Sequence, residues 1–196
     1  MARVAAHFAT QIYQAQLATA ANARLLKVCR AIAAEDTAGQ RWAKKHGYRG
    51  YTSYASLNDL PVRAPEFDDL KSAIDGHVRS FCRALQFAGP KLELNSLWIN
   101  ILEPGGIHTA HIHPHSAISG TYYVSIPKGA SAIKFEDPRL PLMMAAPAKK
   151  ETARDKPFVT IAPKPGTLLL WESWLRHEVQ QNQARGERVS VSFNYS

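Results

Sequence analysis

The spacing of apolar and polar positions changes character near residue 90, and the predicted elements divide there. Before that point, Phe67, Leu70, Ile74, Val78, Phe81 and Leu85 recur every three or four residues. With Pro65 near its start and Gly89-Pro90 beyond its end, this segment predicts an amphipathic helix covering one face of a larger body. An Ala/Leu-rich run over residues 17–35 has helical composition, and residues 7–13 predict a short opening strand. Residues 39–60 read as irregular, with Gly47-Tyr48-Arg49-Gly50-Tyr51 as a loop carrying aromatics. Beyond residue 90 the pattern becomes short runs of β-formers at 92–102, 108–113, 120–126, 132–136, 158–162, 166–171 and 188–195, with turn residues between them. Such spacing predicts a sandwich or barrel, so the fold is mainly β with N-terminal helices packed on it. Residues 138–157 are rich in Pro, Ala and Lys and lack periodicity, which predicts a lid-like loop.

A length of 196 residues with 45% apolar side chains suits one domain over residues 1–196, with a mostly helical part (1–90) on a β part (91–196) that carries the chemistry. No apolar run approaches the roughly 20 residues that span a bilayer, and residues 1–9 lack the tripartite pattern of a signal peptide. The expectation is a cytoplasmic protein without a membrane partner. Cys29 and Cys82 lie far apart without metal-type spacing and read as small buried thiols.

Charge changes this picture little. Lys and Arg outnumber Asp and Glu by 24 to 16, a formal +8, which fits an anionic partner or simply a solvated basic surface. One basic cluster is Arg41, Lys44, Lys45 and Arg49, and another is Lys149, Lys150, Arg154 and Lys156. Neither accompanies an aromatic-interleaved strand, so a nucleic-acid partner is not expected, while a small acid stays open, as does a homodimer.

The histidines point to chemistry. His108, His111, His113 and His115 crowd one segment, and His177 follows a predicted strand and a turn. On a strand, alternate side chains share a face, so His111 and His113 can converge on one cation with Cα atoms about 7 Å apart. His177 can supply a third ligand from a neighbouring strand, leaving positions open for oxygen and substrate. An isolated His-x-His is common by chance, and a rival pairing of His113 with His115 stays open, although Pro114 ends the strand there. His108 and His115 read as outer or solvent residues. Eleven residues after His177, Arg188 can return to the same pocket and offer a bidentate fork to a carboxylate, with Ser190 on the same strand face. The alternative is an arginine at the rim paired with a surface acid.

These residues resemble the 2-oxoglutarate and iron(II)-dependent oxygenase superfamily. The resemblance is carried in order by Trp98-Ile-Asn100, His111-Ile-His113-Pro114, Ser119-Gly120-Thr-Tyr122-Tyr123-Val124, Phe135-Glu-Asp137-Pro138-Arg139, Gly166-Thr-Leu-Leu-Leu-Trp171, Ser173-Trp174-Leu175-Arg-His177 and Gly186-Glu-Arg188-Val-Ser190-Val-Ser-Phe193-Asn194. The loop from Gly47 to Ser53 shares the likeness. The resemblance implies a double-stranded β-helix, a cupin-like jelly-roll barrel flanked by helices. It also implies an Fe(II) centre on His111, His113 and His177, and 2-oxoglutarate as cosubstrate with its far carboxylate on Arg188 and Ser190. Tyr122, Asn100 and Asn194 are further candidates for the cosubstrate pocket, or satisfied core polar groups. Trp98, Tyr123, Trp171 and Trp174 are candidates for its walls. The implied activity is a dioxygenase that hydroxylates a small molecule or an amino-acid or peptide substrate. The sequence departs from the superfamily's His-x-acid motif at His113, and Asp137 and Glu172 are the acids near enough to substitute. A three-histidine, cupin-type dioxygenase that does not use 2-oxoglutarate, or a jelly roll that binds a ligand without turnover, are the competing readings.

Overall fold

The computed structural model describes the chain apart from residues 1, 6, 140–143, 145–147 and 154–155. In chain order the elements are β1 (Ile12–Gln16), α1 (Asn22–Glu35), α2 (Thr37–Lys45), β2 (Gly50–Thr52), α3 (Leu60–Arg63), α4 (Pro65–Ala84) and β3 (Leu94–Leu102). There follow β4 (His108–His111), β5 (Ile118–Ser125), β6 (Ile133–Glu136), β7 (Phe158–Ile161), β8 (Thr167–Glu172), β9 (His177–Val179) and β10 (Arg188–Tyr195). The strands form a major sheet, ordered β1-β8-β5-β10-β3-β2, and a minor sheet, ordered β4-β9-β6-β7. Every pairing is antiparallel. Among the described residues the two sheets share no ladder, so the jelly roll is a pair of sheets and not a closed barrel.

Strand alternation sorts the side chains into two cores. On β10, Val189, Val191, Phe193 and Tyr195 face the helices, and with Ile99 and Ile101 of β3 they join Phe67, Ile74, Val78 and Phe81 of α4 in the larger apolar cluster. The opposite faces pack sheet on sheet: Leu102, Tyr123, Leu169 and Trp171 from the major sheet meet Ile133, Phe135 and Val179 from the minor one. Polar bonds tie the helices to the sheet, at the start of α1 and along the middle of α4. Tyr195 donates to Asp75, Tyr122 donates to Asn22, and Tyr13 shares a hydrogen bond with His77. Cys29 is buried in the larger cluster, and burial pushes its thiol up to about 12.

Four elements differ from expectation. The opening strand covers Ile12–Gln16 and not 7–13, because Tyr13 and Ala15 are the residues that reach the larger cluster while the strand pairs with β8. A second helix, α2, occupies part of the region expected to be irregular: Asp36 ends α1 and its side chain accepts from Gly39 N, capping a new helix. Strands β2 and β9, three residues each, are too short for a periodicity to register. Residues 140–143, 145–147 and 154–155 of the predicted lid over 138–157 lie outside the described residues, Arg154 of the second basic cluster among them. No helix among the described residues is long and apolar enough to cross a membrane.

Candidate metal centre

Three imidazoles meet on the inner side of the minor sheet. His111 ends β4 and His177 begins β9, and the two are direct cross-strand partners. His113 lies just past the end of β4, held where its N–H donates to Ser173 O at 3.0 Å. The expectation that both histidines share one regular strand is therefore corrected, yet their rings still converge. Ring centroids are 4.4 Å apart for His111 and His177, 5.1 Å for His111 and His113, and 5.2 Å for His113 and His177. One nitrogen from each lies within 4.8 Å of the others.

Hydrogen bonds decide which nitrogen is available. Nδ1 of His111 donates to Thr109 O at 2.7 Å, Nδ1 of His177 to Leu175 O at 2.9 Å, and Nδ1 of His113 to Asn194 Oδ1 at 2.8 Å. Carbonyl oxygens only accept, so each Nδ1 carries the proton and each Nε2 keeps its lone pair. His113 Nε2 is buried without a hydrogen-bond partner. Burial, reinforced by the neighbouring imidazoles, pushes His177 down to about 3 and His113 to about 4, so both rings are neutral near pH 7. Three neutral nitrogen donors, one of them orphaned, fit a divalent transition metal.

The acids weighed as substitutes stand apart. Asp137 is paired with Arg139, and neither it nor Glu172 joins the histidine group. His115 is exposed with φ +65°, outside the cluster, so the rival pairing of His113 with His115 is not the one formed.

The histidines open onto a cavity of about 470 Å³, lined also by Arg188, Ser190, Asn100, Asn194, Trp98, Tyr123 and Trp171. Arg188, Ser190, Ser192 and Asn194 alternate onto the inner face of β10. Arg188 is only 2% exposed, its Nε has no partner, and its guanidinium lies 4.9 Å from the centroid of the Tyr123 ring. No ion pair among the described residues includes it. A rim arginine paired with a surface acid is thus excluded. Asn100 accepts from Thr52 and donates to Ser192, forming part of a polar floor. Asn194 reaches the cavity but is committed to His113 and Ser119. Tyr122 belongs to the opposite face, packed in the helix-side core with its hydroxyl on Asn22, so the neighbouring Tyr123 takes the place expected for it. Trp174 is exposed and does not line the cavity. Sequence reasoning missed Trp42, Tyr54 and the Tyr48–His108 pair on the cavity wall.

The family described as "Putative 2OG-Fe(II) oxygenase" matches residues 96–194. No curated protein matches the sequence. Among solved structures, a Pseudomonas putida prolyl-4-hydroxylase superposes with TM-score 0.64 at 16% identity, over 95% of this chain and 92% of its own. The epimerase SnoN from nogalamycin biosynthesis, in complex with Fe3+, alpha ketoglutarate and nogalamycin RO, superposes with TM-score 0.63 at 15% identity, over 95% of this chain and 78% of its own. The chain spans 50% of a Burkholderia pseudomallei oxidoreductase of the 2OG-Fe(II) oxygenase family, covering 60% of itself at 18% identity and TM-score 0.46.

Proposed function

The chain belongs to the 2OG-Fe(II) oxygenase family, and from that premise we propose that it is a hydroxylase in which His111, His113 and His177 hold iron(II) while Arg188 and Ser190 bind the far carboxylate of 2-oxoglutarate. The observation that carries the reading is a buried guanidinium, without an ion-pair partner among the described residues, in the same cavity as three converging imidazoles. An uncompensated buried cation costs several kcal/mol, on the order of 3–5, which a bound carboxylate offsets.

Bound there together, iron(II) and 2-oxoglutarate would supply oxygen activation, one atom of O2 ending in succinate as carbon dioxide is lost and the other entering a substrate C–H bond. The chain's own residues bind, orient and shield. Three neutral imidazoles would leave a bound ion its full +2 charge, so a carboxylate of the cosubstrate would have to supply the compensation that an acidic protein ligand would otherwise give. Trp171 packs edge-on against His177 at 4.6 Å and against Phe135 at 5.2 Å, which excludes water from behind the centre. The cavity suits a small molecule or an amino-acid or peptide side chain as substrate.

Anaerobic addition of iron(II) and then 2-oxoglutarate should produce the weak visible charge-transfer band of the chelate at one equivalent each. His177→Ala should abolish it, and absence of the band in the native protein overturns the reading. The lack of any acid in the histidine group favours, as the second reading, a cupin-type dioxygenase. Oxygen uptake that needs iron but yields no succinate would support that reading instead.

A further inference from the structure

Tyr48 and His108 have no part in the roles above. Sixty residues apart in sequence, they meet where the free edges of the two sheets come together, because β2 ends the major sheet and β4 ends the minor one. The Tyr48 hydroxyl lies 2.6 Å from His108 Nε2, with the rings edge-on at 5.3 Å. Tyr48 is held firmly. Its N–H donates to Ala43 O at 2.9 Å and its ring packs on the inter-sheet core. Two residues on, Gly50 turns the chain with φ +131°, where a Cβ would meet Ile101 O at 2.0 Å. Gly50, Leu102 and Arg188 then form one row across β2, β3 and β10. Both rings line the cavity that holds Arg188.

The donors in this corner outnumber the acceptors. Burial, with Arg188 and His111 adding to it, pushes His108 down to about 3, so its ring is neutral and carries one N–H. Tyr48 stays protonated because burial raises its pKa further than the Arg188 charge lowers it. The pair therefore has two protons and spends one on its mutual bond. Either Tyr48 donates to Nε2, or the other tautomer donates from Nε2 to the phenol oxygen and frees the phenol proton for a third group. Beside them is a guanidinium with an unpartnered Nε and no carboxylate among the described residues. A carboxylate, with about four lone-pair sites, is the group that absorbs such a surplus.

We propose that Tyr48 is a second carboxylate-binding residue of the cosubstrate pocket, its hydroxyl donating to the group that Arg188 attracts, and that His108 is a positioning residue acting through it by donating from Nε2 to the phenol oxygen. This rests on the reading of Arg188 given above. Tyr48 lies outside the residues that match the family, which begin at 96, so an element of the N-terminal part completes the pocket.

The test is anaerobic titration of the iron(II)-loaded protein, followed by the charge-transfer band, with two ligands: 2-oxoglutarate, and 2-oxopentanoate, which has a methyl in place of the far carboxylate. In Tyr48→Phe the dissociation constant for 2-oxoglutarate should rise about tenfold or more, as expected for a lost hydrogen bond to a charged group, with that for 2-oxopentanoate unchanged. His108→Leu should shift the same ratio in the same direction by a smaller factor. Equal weakening of both ligands, or of neither, in Tyr48→Phe overturns the proposal, as does an unchanged ratio in His108→Leu. Failure of the native protein to prefer 2-oxoglutarate over 2-oxopentanoate would instead sink the reading of Arg188, which separates the two outcomes.

Discussion

Asn194 shows how one amide can set the chemistry of a ring it only supports. Its Oδ1 accepts from His113 Nδ1 at 2.8 Å and from Ser119 Oγ at 2.8 Å, which fixes the imidazole's tautomer and aims the bare Nε2 at the other two histidines. Asn194→Ala should therefore weaken iron(II) binding by about 10- to 100-fold, measured anaerobically against a competing chelator, whereas Asn194→Asp, which keeps an acceptor, should retain most of the affinity. Unaltered affinity in the alanine variant would show that His113 needs no such support. At this scale the sequence was legible wherever a period or a charge argued. The return of Arg188 and Ser190 on one strand face follows from alternation alone, whereas His111 and His113 converge although His113 lies past the end of β4. Tyr122 and Tyr123 show the limit, because neighbouring tyrosines on a strand face opposite ways and nothing local tells which parity is inward. The answer came from the register of β5 with β10, where Tyr122 stands opposite Val191 and Tyr123 opposite Ser190.

Among the elements, the junction of α1 and α2 turns on Asp36. Its carboxylate accepts from Gly39 N, Tyr51 Oη and Ser56 Oγ, so one side chain caps α2 and ties it to β2 and the following turn. Burial raises its pKa, but the hydrogen bonds from Ser56, Gly39 and Tyr51 together outweigh burial and leave it below the ordinary carboxylate value. A folded-state pKa below the unfolded one contributes stability above the unfolded value of about 4, and that contribution is lost as pH falls through the folded value. Asp36→Asn preserves the cap but not the charge. It should lower stability at pH 7 by less than about 1 kcal/mol after solvent screening, a gap in thermal midpoint that closes as both proteins are taken below pH ~4. A gap independent of pH would remove the charge from the explanation. The same junction explains what the pattern of residues 39–60 concealed: a helix of nine residues restarted by a cap has no long apolar stripe to announce it. Tyr48 and His108, 60 residues apart, are likewise joined by topology, which no local pattern encodes.

For the whole molecule, the decisive feature is that both parts of the chain wall one cavity. Trp42, Tyr48 and Tyr54 come from before residue 60, and the histidines and Arg188 from after residue 100. The helices meanwhile share their apolar cluster with the major sheet and bond to it through Tyr195–Asp75 and Tyr122–Asn22. We therefore propose that residues 1–196 fold as one unit, the helical part being neither an appendage nor a separate domain. Far-ultraviolet circular dichroism, which follows α1 and α4, and tryptophan fluorescence of a Trp42→Phe protein, whose remaining tryptophans Trp98, Trp171 and Trp174 all lie in the β part, should then give coincident unfolding transitions. Because a ligand that binds only the folded state stabilises by mass action, anaerobic iron(II) with 2-oxoglutarate should move both transitions upward together, by about 2.7 kcal/mol when free ligand is 100 times its dissociation constant. A helical transition that stays in place while the fluorescence transition rises would mean that the N-terminal part unfolds by itself, and that the Tyr48 wall is not coupled to the site it faces.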